Sequence, residues 1–454
     1  MPGLKTPAIA VLAWTLTAYT PPPTPAQEPA SQGNWPQWRG PLATGEAPGA
    51  DPPITWSEQQ NVAWKVPIPG SGASTPIIWG DTIYLQTAVP TGDLKPPTQK
   101  FTVGFQQTGE SVYYGQGYVQ SRQDQAFQLI ALDRATGAIR WSKTLRVEQP
   151  REGRHPTNTF ASASPSTDGE HIISFFGSHG LYALTMKGEV VWERHLGEMD
   201  TRNGWGEGIS PALYKNRVIV TWDHESQSFI VVFDKRTGRE IWRRNRDEPT
   251  TWATPLVVPV GSRTQVITNG TNHVRAYDLD SGDVIWEGPG LTFNSIPSPV
   301  FAGGLVFLTS GFQGSALLAV DLAASRGTIT LGQGLRWRHD RDTPYVASPL
   351  AYRGSLYVFK GLTGILTVLD AKSGDVQYGP VRLPAIPDLY ASPVAAAGRV
   401  YIAGRDGAIV VLKHGTFESL AVNHLDDGFD ASPAIVGGEL YLRGRAALYR
   451  ISQR

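Results

Sequence analysis

The chain has 454 residues, 41% of them hydrophobic, with 49 glycines, 35 prolines and a formal charge of zero. That apolar content excludes a disordered chain, and the missing basic field argues against a nucleic-acid partner. There is no cysteine, which excludes disulfides, thiolate metal sites, a cysteine nucleophile and a lipid-bearing cysteine.

The chain opens with Lys5, a short apolar run from Ala8 to Tyr19, and the proline-rich stretch TPPPTPAQ. The run is too short to cross a bilayer. With a charged start and a small-residue exit it predicts a signal peptide over 1–27, and hence a periplasmic or secreted protein. Residues 28–53 read as a linker, and no later stretch has the length or apolarity of a transmembrane segment.

From about residue 54 the sequence repeats. A Ser-Pro or Thr-Pro pair recurs at Thr75, Ser164, Ser210, Thr254, Ser298, Ser348, Ser392 and Ser432, with 40–50 residues between successive prolines after a first interval of 89. Each pair opens four short runs separated by glycine turns, as in LAY, SLYVFK, ILTVLD and DVQY after Ser348-Pro349. Alternation, β-branched content and unit length predict an all-β fold, an eight-bladed β-propeller of four-stranded antiparallel blades. The last repeat has only three strands. The stretch Asn61–Val66 supplies a fourth, so an N-terminal strand is expected to complete blade 8 and close the ring over residues 54–454. The long first interval places an insertion, 89–126, between the second and third strands of blade 1.

An Asp-x-x-x-Gly turn followed by an aromatic residue recurs at Asp133, Asp234, Asp278 and Asp370, and decays in other copies, as in Met186-Lys187-Gly188 and LKHGTFESLAV (412–422). ALDRATGAIRW (131–141) and FDKRTGREIW (233–242) are the fullest copies. The glycine suits the left-handed position of a tight turn, and an indole can fill the wedge between two splayed blades. This pattern resembles the repeat of pyrroloquinoline-quinone (PQQ) enzymes. The chain is accordingly similar to PQQ-like, BamB-like β-propellers, whose BamB-type members are exported and non-catalytic. The resemblance is confined to the blade motif. Quinone dehydrogenases commonly add a vicinal disulfide and calcium ligands beside a catalytic aspartate, and those motifs are not found here. No cofactor, no metal and no catalytic residue is therefore assigned.

Strand order puts the loops leading into the first strand of each blade, and those between the second and third, on one face. These top loops are long and polar, while the opposite face has minimal turns. Function concentrates on such loops. The candidate ligand contacts are His155, Asn158, Asn203, Trp205, Glu207, Asp223, His224, Glu225 and Trp252. They combine indoles for stacking with amide, carboxylate and imidazole groups for directed hydrogen bonds. Trp205, Trp252, Phe293, Tyr345, Tyr390 and Phe429 recur one per blade from blade 3 to blade 8, and suit either stacking on a ligand or packing between blades. Two functions fit. One is a monomeric, non-catalytic module that binds a small ligand or a protein on the top face. The other is an enzyme acting there on a carbohydrate or other small molecule, with or without a metal. Convergence of His155, Glu207, Asp223 and His224 on one cavity favours the enzyme, and pairing with arginine favours the scaffold.

Overall fold

The computed structural model describes residues 33–96, 119 and 121–453. The expected signal peptide, 1–27, and the middle of the insertion lie outside them. Eight four-stranded antiparallel units form the ring, two of them carrying a fifth short strand. Blade 1 comprises Ile77–Trp79, Thr82–Thr91, Asp124–Asp133 and Ile139–Glu148. The next six blades follow the repeat. Blade 8 comprises Ala434–Val436, Glu439–Arg443 and Ala447–Ser452, with Val62–Pro67 as its outer strand. Trp64 lies opposite Arg450 and Val66 opposite Leu448, so the ring is closed by its N-terminal strand as expected.

Two features differ from the sequence reading in detail. The second and third strands of blade 1 pair out to Thr91 and Asp124, inside the boundaries drawn for the insertion. In blade 5 the extra residues behind the 50-residue repeat interval form Gly327–Thr328, which pairs in parallel with Trp286 and Glu287 on the outer strand of blade 4.

The repeat motif has a physical role at several blade junctions. The Trp192 Nε1 donates to the carbonyl of Lys235 at 2.7 Å, and Trp242 Nε1 to that of Leu279 at 2.8 Å. Trp64, on the closing strand, does the same to Arg134 at 3.1 Å. In each case the acceptor follows the aspartate of the next blade's turn, and the turn glycine lies on the indole face. A Cβ on Gly238 would come within 2.6 Å of Trp192, and one on Gly282 within 2.6 Å of Trp242. Both glycines also have positive φ, 65° and 74°. Turn geometry and indole contact thus both demand glycine. Blade 5 shows the coupling by exception. Its turn, Asp321 to Ser325, has serine where the glycine belongs, and Trp286 of blade 4 bonds instead to Gln265 within its own blade, at 2.9 Å.

The Ser/Thr-Pro pairs form a belt around the axis. Each pair's Ser or Thr N–H donates to the side-chain hydroxyl of the next, from Thr75 through Ser164, Ser210, Thr254, Ser298, Ser348 and Ser392 to Ser432, at 2.8–3.2 Å. Thr75 Oγ1 completes the circle on the Ser432 carbonyl at 3.1 Å. Ser348→Ala should leave the buried Ser298 N–H without an acceptor and cost about 1–2 kcal/mol, while Ser348→Thr should retain most of that. Urea denaturation of the three proteins checks this, and an alanine variant as stable as the parent removes the belt from the account of stability.

Residues 33–53, assigned above to a linker, are held against the ring. Trp35 is fully buried and pairs with Ile78 of blade 1, and Pro36 accepts from Thr167 N in blade 2. Arg39 is buried too, and donates to Pro393 O at 2.6 Å and Pro349 O at 2.8 Å, at the openings of blades 7 and 6. Asp51 N reaches Gly437 O in the first turn of blade 8. The segment therefore crosses the bottom face from one side of the ring to the other.

Candidate functional site

The top loops enclose a central cavity of about 490 Å³ above the Ser/Thr belt. Its wall is largely aromatic. Trp205, Trp252, Tyr345 and Tyr390 come from loops leading into blades 3, 4, 6 and 7, and Phe312 from a loop within blade 5. Phe312 stacks on Tyr345 with centroids 4.9 Å apart, and meets Trp205 in an edge arrangement at 6.4 Å. His155 meets Trp205 edge-on at 5.5 Å. Thr157 links the two sides of the mouth, bonding to His155 Nδ1 at 2.7 Å and to the Tyr390 hydroxyl at 3.2 Å.

Few charges face this space. Burial lowers the His155 pKa, with Arg405 and Arg154 adding to the effect, so the imidazole is biased to its neutral form. Asp430 lines the cavity, but its carboxylate is shared by Arg405 at 2.6 Å and Arg445 at 3.0 Å. Arg405 in turn lies over the Tyr390 ring at 4.0 Å.

Of the nine candidate contacts, the structure brings four together here: His155, Asn158, Trp205 and Trp252. Asn158 has largely a loop-holding role, since its Nδ2 donates to Trp205 O at 2.9 Å and its Oδ1 accepts from Thr159 N and Ser162 Oγ. The other five lie elsewhere. Asp223 is fully buried against Arg246. His224 and Glu225 line a separate cleft beside blades 3 and 4. There Glu225 accepts from Thr250 N and Oγ1, and His224 Nδ1 accepts from Asp200 N at 3.2 Å. Glu207 accepts from Ser178 N at 2.7 Å and Ser178 Oγ at 2.5 Å, pinning the loop 177–180. Asn203 stands in a short turn with φ 55°, outside the cavity lining. Side chains alternate in direction at a strand end, so Asp223 turns into the core against Arg246 while His224 and Glu225 face the side cleft, and none of the three faces the funnel.

Among the repeating aromatics, Phe429 is buried and packs on Tyr449, while Phe293 is 45% exposed under the Arg202 guanidinium. Phe312 and Trp38 belong to the lining but were not among the expected contacts. Phe312 was visible as the aromatic in the top loop SGFQG, and Trp38 as the second indole of the segment NWPQW.

A second, tighter pocket beside the funnel holds Glu152 and Glu207. Burial pushes the Glu152 pKa up to about 8, against the lowering bonds from Thr201, and the neighbouring Glu207 adds to the rise. The folded protein keeps a proton there that an unfolded glutamate releases above about 4.5. Stability from this group is thus fully present below that pH and is lost as pH climbs through about 8. Thermal midpoints should fall between about pH 5 and 8, and Glu152→Gln should flatten the fall. A pH dependence unchanged in that variant would overturn the assignment.

One group of possible metal ligands occurs among the described residues: Asp168, Glu170 and His171. It lies apart from the funnel, and both carboxylates clamp the buried Lys235 ammonium, which bonds Glu170 at 2.5 Å and also Asp168. The cation position is thus filled by the protein itself.

A protein-family model described as outer membrane protein assembly factor BamB matches residues 53–221 and 226–454. The chain belongs to this family. A curated BamB from Francisella salina is 26% identical over 105 residues, a match spanning 23% of this chain and 18% of that relative. Among solved structures, BamB from Moraxella catarrhalis superposes with a TM-score of 0.53 at 12% identity, covering 80% of this chain and all of that one. A europium-containing methanol dehydrogenase superposes with a TM-score of 0.64 at 12% identity, covering 91% and 90%. At these identities the likeness to solved structures is one of fold. The funnel of this BamB-family chain does not fit a metal-bound quinone. Its lining carboxylate, Asp430, is neutralised by two guanidinium groups, and its amide, Asn158, is engaged by its own loops. No helix among the described residues is long and apolar enough to cross a membrane.

Proposed function

We propose that this chain is an exported, non-catalytic docking propeller whose top-face funnel receives a protein partner. The observation that carries the reading is the separation of chemistry from cavity. His224, Glu207, Asp223 and Glu225 do not converge, and each is engaged in bonds that hold loops or blades. What converges instead is an aromatic wall with little free charge. Such a wall binds by desolvation and stacking and offers no acid–base pair. Membership of a family described as an outer membrane assembly factor supports a protein partner and a place outside the cytoplasm.

A photoreactive phenylalanine analogue at Leu362, which lines the cavity, tests this in the native host. The expected result is a crosslinked polypeptide that disappears when Trp252→Ala is added, with the β-sheet circular dichroism retained. Absence of any crosslinked polypeptide, together with a small molecule retained in the native mass spectrum, would favour the enzyme reading instead.

A further inference from the structure

We propose that Trp38 is the floor of the funnel and that the site takes a compact, uncharged aromatic side chain presented on a turn of the partner. This rests on the docking reading above. Trp38 lines the same cavity as the top-loop aromatics, yet it comes from the segment that crosses the bottom face. It stands between two anchors on different parts of the ring: Trp35, paired with Ile78 of blade 1, and Arg39, bonded to blades 6 and 7.

The anchors are built for this path. Arg39 takes φ 69° and its guanidinium also donates to Thr44 O at 2.7 Å. Gly45 leaves the space that Arg39 occupies, since a Cβ there would lie 2.6 Å from Nη2 and 2.9 Å from Pro393 O. A Cβ on Gly40 would strike the Trp35 ring at 2.7 Å. The backbone on either side of Trp38 is therefore pinned, and an indole across the base of the cavity makes the funnel blind. An extended polypeptide cannot thread it, so a partner must insert a tip.

The lining sets the chemistry of that tip. Its imidazole is His155, biased to the neutral form, and its carboxylate is Asp430, already shared by two arginines. A charged tip would lose its hydration without finding a free counter-ion. An aromatic ring meets the faces and edges of Trp205, Trp252, Phe312 and Tyr345. A cavity of about 490 Å³ accepts one large aromatic side chain with part of the turn that bears it.

The cysteine-free chain gives a direct test, because Trp38→Cys carries a single thiol. Gly208 lines the funnel, and a Cβ there meets only Trp252 at 3.5 Å and Ser162 at 3.8 Å, so Gly208→Trp should narrow the space above the floor. The probe is N-acetyltryptophanamide, with N-acetyllysinamide as the charged control. Labelling of the introduced thiol by methyl methanethiosulfonate should slow about tenfold in the Gly208→Trp background, and should slow with saturating N-acetyltryptophanamide but not with the lysine amide. Labelling unaffected by Gly208→Trp, together with Trp38→Ala binding the probe as the parent does, places the thiol outside the funnel and overturns the floor assignment. Slowing by Gly208→Trp without protection by N-acetyltryptophanamide leaves the floor in place and overturns the aromatic occupant. Calorimetry on full-length Trp38→Phe and Trp38→Ala guards against a misfolded cysteine variant. The phenylalanine protein should bind the probe like the parent, and the alanine protein about tenfold more weakly. Equal affinity in all three overturns the floor assignment as well.

Discussion

Deletion of residues 54–66 should abolish the cooperative thermal transition of this protein. The deletion removes nearly all of the strand Val62–Pro67 and, with it, the antiparallel ladder to Ala447–Ser452. It also removes Trp64, the indole that blade 8 docks on the turn of blade 1. A Cβ on Gly137 would lie 2.9 Å from that ring, so the contact is closely fitted. Trp56 goes too. It is 4% exposed, and its N–H bonds to Asn423 of blade 7 at 2.8 Å. The opened ring then has the strand Ala447–Ser452 bare along one edge and an unfilled wedge between its first and last blades. Each blade is stable largely through its neighbours, so loss at one junction propagates around the ring. Differential scanning calorimetry should show a broad, weak transition in place of the parent's. A sharp transition like the parent's would refute closure as the source of cooperativity. Trp64→Ala alone should lower the midpoint but keep the transition, because the strand ladder remains. Its cost should be about 3 kcal/mol.

The fold was legible because the repeat is written in contiguous residues. The turn Asp234 to Gly238 and the indole Trp242 lie within one short stretch, and each obeys a local rule of turn chemistry or packing. What no single repeat could show was that Gly238 serves the indole of the blade before it, Trp192. The serine-proline pairs were visible as punctuation, but their hydroxyls act only on the neighbouring blade. The site was half legible. Loops could be assigned to the top face from strand order, and His155, Trp205 and Trp252 line one cavity there. Direction within a loop could not be read. Asp223, His224 and Glu225 looked like one cluster aimed at the funnel because they are adjacent, whereas Asp223 turns into the core and the other two face a cleft beside blades 3 and 4. Trp38 was missed because proline and glycine around it resemble a linker. Two tryptophans and an arginine in so short a stretch were the contrary signal, since large aromatics seldom occur without something to bury them.

Asp223→Ala should destabilise the protein by about 3–5 kcal/mol, the scale of breaking a buried ion pair by removing one partner. Arg246 donates through Nε to Asp223 Oδ1 at 2.7 Å and through Nη2 to Oδ2 at 3.1 Å, and both side chains are fully buried. Thr251 Oγ1 donates to the same carboxylate at 2.8 Å. The remaining guanidinium hydrogens go to Thr268, Tyr277 and the Asn269 carbonyl of blade 4, so the pair ties blade 3 to blade 4. Burial works against the charged guanidinium, but Asp223, Tyr277 and Glu248 outweigh it and raise its pKa. Without Asp223 that cation stays buried with its neutral partners and only the more distant Glu248 for charge. The double variant Asp223→Leu/Arg246→Met should recover most of the loss, because it removes both charges and keeps apolar volume. Equilibrium denaturation of the two variants, with N-acetyltryptophanamide binding measured on the double variant, separates the possible roles. A structural pair predicts a large loss in the single variant, recovery in the double, and unchanged affinity in the double. If Asp223→Ala costs less than about 1 kcal/mol, the ion pair is not a structural tie. If the stable double variant has lost the probe, Asp223 or Arg246 acts on the funnel after all, and the boundary drawn between cavity and scaffold is wrong.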